Sequence, residues 1–118
     1  MLVAMTVALP ALARNCEKDA TNMAEIRACV ADEQSLRLAT TFDRTLSFVR
    51  SKDPQAAELL VKAQKSWEKF AGDSCEFTAR ARQDDRMAND TRLMCRQSFT
   101  DARIEILNVY RRDFDKAP

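Results

Sequence analysis

Histidine is absent from this chain, and several chemistries go with it. A serine or cysteine nucleophile lacks its usual base, and zinc sites of Cys/His spacing and haem-attachment motifs lack a ligand. Glycine occurs once and proline three times, so no Gly-rich loop can cradle a phosphate and turn chemistry is too scarce for a β-sandwich. The four cysteines, Cys16, Cys29, Cys75 and Cys95, include no C-x-x-C pair, which removes the thioredoxin-like redox motif. Neither sign of charge is in excess. Nineteen Lys and Arg against eighteen Asp and Glu leave a net charge of +1, too weak a field to draw in nucleic acid or an anionic membrane. No apolar run is long enough to span a bilayer. The expectation is a protein without metal or cofactor.

What is present points to helices. A length of 118 residues suits one domain, and 46% apolar with 31% charged residues is a balance typical of an all-α fold. Residues 1–13 are uncharged and apolar and end in small residues at Ala11 and Ala13, the pattern of a signal-peptide core and cleavage site that lacks its basic start. This segment is expected to be a signal-peptide remnant, with residues 14–118 forming the domain and the mature protein periplasmic or secreted. An even number of cysteines in a short exported chain implies two disulfides.

Three helical segments follow from periodicity and caps. Asn22 can cap the first, with Glu25 reaching back, and Ile26, Val30, Leu38, Phe42, Leu46 and Val49 fall near one face. Asp53 and Pro54 have the chemistry of N-cap and first helical residue for the second. Its apolar side carries Ala56, Leu60, Ala63, Trp67, Phe70 and Phe77. The third opens near Asn89 or Asp90, and Cys95, Phe99, Ala102, Ile106 and Val109 form the cleanest apolar stripe of the three. Short connections predict a three-helix antiparallel bundle, with Trp67, Phe70 and Phe99 in its core. Folding the second and third segments back near residue 85 sets Cys75 level with Cys95 and leaves Cys16 for Cys29. Folding the first hairpin at residue 52 also levels Cys29 with Cys75, so both connectivities stay open.

The run Ala63-Gln64-Lys65-Ser66-Trp67-Glu68-Lys69-Phe70, with Cys75 eight positions after Trp67, resembles the LprI-like lysozyme-inhibitor domain family. Cys95 followed by Thr100, Arg103 and Leu107 is similar to the family's Cys-x4-Thr-x2-Arg-x3-Leu pattern, and Cys16 and Cys29 sit where its first two cysteines fall. The likeness covers residues 15–110. Ala71-Gly72 stands where the family usually has Arg-Asp, Asn89-Asp90-Thr91-Arg92 replaces a common Gly-Gly-Ser, and Phe42-Asp43 and Leu46 replace Leu-Asn and Tyr. The resemblance implies an exported helical domain of a family named for a member that inhibits lysozyme. It makes lysozyme the first partner to consider, with a scaffold module for another envelope protein or a cell-wall component as the alternative.

An enzyme is not expected. The carboxylate pairs Asp84/Asp85 and Asp113/Asp115 are too close in sequence to face one substrate together, and a charged cluster in a connection is ordinarily a solvated turn. If the protein blocks lysozyme, the turn between the second and third helices has the narrow shape that enters a cleft. Arg82, Asp84, Asp85 and Arg86 are its candidate partner-binding residues. Arg103, beside the third apolar stripe, is expected to pair with a carboxylate on a neighbouring helix. The sequence leaves the oligomeric state open.

Overall fold

The computed structural model describes residues 15–82 and 85–116, with backbone alone at residues 85–87. The segment read as a signal remnant lies outside the described residues. Among the described residues there are four helices: α1 Cys16–Asp19, α2 Met23–Lys52, α3 Pro54–Ala81 and α4 Asp85–Asp115. The fold is all-helical, but the count corrects the expected three. A short turn at the N-terminus closes because Asn15 Oδ1 accepts from the Lys18 N–H at 3.2 Å and Cys16 is tied down by its disulfide.

The helix ends follow from side-chain chemistry. Asn22 Oδ1 accepts from the Glu25 N–H at 2.9 Å, while Glu25 Oε2 accepts from both the N–H and the hydroxyl of Thr21, one residue further out. Asp53 serves two helices at once. Its N–H donates to Val49 O, closing α2, and its carboxylate accepts from the Gln55 and Ala56 N–H groups, opening α3 behind Pro54. A one-residue link forces α3 to run back along α2. The third helix of the sequence reading begins four or five residues earlier than expected, at Asp85.

Cross-helix contacts fix the registers. Cys75–Cys95, Phe70–Phe99 and Gln64–Arg103 place α3 and α4 antiparallel. The Arg27–Asp90 ion pair, Gln34 Nε2 donating to Asp101 Oδ1 at 3.0 Å and Thr45 Oγ1 donating to Leu107 O at 3.5 Å place α2 and α4 parallel. The three long helices therefore run up, down and up. Near the α2–α3 link, Val49, Ala57, Leu60 and Leu107 form the buried core, with Leu38, Phe42, Leu46, Ala56 and Phe114 packed around them. Toward the other end of α3 the buried residues are small, Ala71, Cys75 and Ala79, and apolar burial is correspondingly thin.

Sulfur chemistry stands where apolar burial is thin. The disulfides are Cys16–Cys29 and Cys75–Cys95, and no cysteine is free. The first ties α1 to α2 and the second ties α3 to α4 below their connection. Among the described residues no helix is long and apolar enough to cross a membrane.

Two outcomes are expected. Native protein should react with no thiol reagent, and the Cys75→Ala/Cys95→Ala variant should lose about 3 kcal/mol in denaturant unfolding, the chain-entropy value for a loop of this size. Thr21 should hold the Glu25 carboxyl below its ordinary 4.5, because its two hydrogen bonds favour the charged form. A depressed folded-state pKa gives stability that is complete above the unfolded value and fades as pH falls through the folded one. A carboxyl NMR titration should therefore place Glu25 below 4.5, and Thr21→Val, which removes the hydroxyl bond but keeps the larger backbone N–H one, should move it only part of the way back.

Candidate functional site

Helix α3 carries a polar residue in the middle of its apolar side: Gln64 lies between Leu60 and Trp67, one turn from each. It is buried, and its Oε1 accepts from Arg103 Nε of α4 at 2.9 Å. Arg103 is only 6% exposed. Its guanidinium lies 5.8 Å from the ring centroids of both Trp67 and Tyr110, while Nη2 has no hydrogen-bond partner among the described residues. A guanidinium is less strongly hydrated than an ammonium and stacks on aromatic faces, so these neighbours can hold it out of water. One turn further on, Leu107 is fully buried. The carboxylate partner expected for Arg103 is thus replaced by a neutral amide and two aromatic rings. The signal in the sequence was the Gln itself, a polar side chain at an apolar position, which implies a buried partner.

Above this pair the three long helices part to leave a cleft of about 480 Å³. Its walls bring Leu38, Phe42 and Asp43 of α2 together with Gln64, Trp67, Glu68 and Ala71 of α3 and Arg96, Phe99 and Thr100 of α4. Gly72 belongs to the same wall, and a Cβ there would lie 3.7 Å from Arg96 Nη2, an ordinary contact, so the glycine is not required by crowding. The residues Gln64, Trp67, Thr100 and Arg103, scattered over forty positions of sequence, thus form one cluster at and beneath the cleft floor.

The structure separates the expected core residues. Trp67 and Phe99 are half-buried and line the cleft, whereas Phe70 is 62% exposed and meets Phe99 only edge-on, with centroids 5.7 Å apart. The correction has a geometric cause: α3 turns Leu60, Gln64, Ala71 and Cys75 inward, and Phe70 lies about 100° round from Ala71. Of the turn residues, Arg82 is exposed and follows the last turn of α3, and Asp85 begins α4. Asp84 and the side chains of Asp85 and Arg86 lie outside the described residues. Cys16, Cys29 and Glu33 group their ligand-type atoms within 4.8 Å, but the two sulfurs are consumed in a disulfide and offer no thiolate.

The residues at the cleft floor are those of the motif that resembled a known family, and comparison with family models agrees. The model described as lysozyme inhibitor LprI matches residues 14–107, and the chain belongs to that family. Searches of curated proteins and of solved structures returned no match.

Two of the three aromatics of α3 should respond differently to truncation. Trp67→Ala is expected to cost about 3 kcal/mol in chemical denaturation, from lost burial and from exposing the guanidinium that rests on it. Phe70→Ala should cost about 1 kcal/mol or less, the worth of one edge-on aromatic contact.

Proposed function

We propose that this protein is exported to the bacterial envelope and acts there by binding, as an inhibitor of a lysozyme, and not by catalysis. The observation that carries the reading is the match to the lysozyme-inhibitor LprI family over residues 14–107. Two disulfides in so short a chain support the exported location, since such bonds persist in oxidising compartments. The contact is assigned to the turn between α3 and α4, through Arg82, Asp84, Asp85 and Arg86.

Shape and stiffness favour that end. The substrate cleft of a lysozyme takes a narrow projection better than the flat side of a helix. The Cys75–Cys95 bridge joins the two helices below the turn, which lowers the ordering cost of binding. Arginines there suit the catalytic carboxylates of such a cleft, and aspartates its basic rim. The cluster beneath the cleft of this protein then serves to hold the hairpin in place.

Lytic assays on cell-wall suspensions with lysozymes of several types provide the test. Wild-type protein should slow lysis by at least one of them. Replacing Arg82, Asp84, Asp85 and Arg86 together with Ser should weaken that inhibition by about tenfold or more, a loss of roughly 1.4 kcal/mol, with the helical circular dichroism unchanged. Equal inhibition by both proteins would place the contact elsewhere, and lysis unaffected by wild type would remove the reading.

A further inference from the structure

The strongest apolar period in the chain does not face the core. Helix α4 buries Thr91, Arg103, Ile104 and Leu107, and the stripe expected to lie inside instead leaves Ala102, Ile106 and Val109 in solvent, the last two 41% and 40% exposed. Helix α3 repeats the pattern. Leu59 is 65%, Phe70 62% and Phe77 73% exposed, and at 100° per residue the three fall within an arc of about 20°.

The two stripes form one surface. The Phe70–Phe99 and Gln64–Arg103 contacts set Leu59 beside Val109 and bring Ile106 level with Ala63. Helix α2 packs on the opposite side of the α3–α4 pair, where Gln64, Ala71, Ile104 and Leu107 point. One face of the hairpin is therefore covered by α2, and the other is apolar and left bare by the described residues. Monomeric proteins seldom leave several large apolar side chains contiguous in water.

The rims of this face indicate what covers it. On the α3 side stands Lys62 and on the α4 side Glu105, both exposed, whereas Lys69 is paired with Asp73 of its own helix and Asp101 is turned to Gln34 of α2. A two-fold axis laid along the helices in the plane of the face sets α3 of one copy over α4 of the other, antiparallel and level by level. Lys62 of each copy then meets Glu105 of the other, at the same register that joins α3 to α4 within the chain. A two-fold contact must be complementary to itself, and a lysine opposite a glutamate at matched levels, repeated by the axis, meets that condition.

We infer that the bare face of α3 and α4 is a homodimer interface, in which two copies form a four-helix layer with an α2 on each outer side. The interface is separate from the α3–α4 turn, so it stands or falls independently of lysozyme binding.

Sedimentation equilibrium of the disulfide-intact protein at concentrations up to about 1 mM, the weak limit of specific association, tests it. Wild type should dimerise, and Ile106→Glu should weaken the dimer by about 100-fold or more while leaving the circular dichroism unchanged. Lys62→Glu and Glu105→Lys should each weaken it several-fold, since each removes two contacts per dimer, and the double variant should restore it. A monomer throughout that range, a dimer indifferent to Ile106→Glu, or a double charge reversal that fails to restore association would overturn the inference. So would a monomeric wild type whose lysozyme inhibition is lost in Ile106→Glu, because that face would then belong to the lysozyme.

Discussion

A guanidinium taken out of water needs acceptors or aromatic faces around it, and removing one of them leaves a buried charge uncompensated. Arg103 is held by Gln64 at Nε and by the rings of Trp67 and Tyr110, with Nη2 unpaired among the described residues, and these contacts constrain how α3 and α4 can lie. The Nε–Oε1 hydrogen bond sets their register, the indole sets their rotation, and Leu107, one turn along, closes the core against Val49, Ala57 and Leu60. A leucine or methionine at position 103 would fill similar space. It would not specify which level of α3 it faced, and this difference is the physical content of a charged residue inside a small bundle.

The bundle is held by different means at its two ends. Near Asp53 the link is one residue long and the core is aliphatic. Toward the α3–α4 connection the inward residues are alanine, threonine and cysteine, too small to bury much apolar area, and two disulfides stand in for it. A hairpin tied by sulfur near its open end can carry a turn of almost any composition. Such an arrangement suits a binding protein whose contact residues sit in that turn.

Local chemistry was legible in the sequence wherever one residue type has one strong role. Asn22, Asp53 and Pro54 marked helix starts because their side chains or rings do a specific thing to the backbone. The level of Cys75 with Cys95 followed from counting outward from a turn. Rotation about the helix axis was harder to read. On α4 the apolar stripe through Ile106 and Val109 is more regular than the buried one through Arg103 and Leu107, so periodicity selected the wrong face. On α3 the same periodicity points Phe70 inward, whereas the buried side chain is Gln64, polar at an otherwise apolar position. Hydrophobic period reports which face avoids water, and it cannot distinguish the face that packs within the chain from one that is covered by another molecule. The residues proposed to bind a partner at the turn have no such local signature, since exposed charged side chains look alike whether solvated or bound.

The dependence of the fold on the Arg103–Gln64 contact is most directly measured by a double-mutant cycle in denaturant unfolding, using Gln64→Leu, Arg103→Met and their combination. Each single variant should be strongly destabilised. The double variant should recover much of that loss because no buried polar group is left alone, giving a coupling of about 2 kcal/mol. Additive losses, with the double variant as unstable as the two singles together, would contradict it.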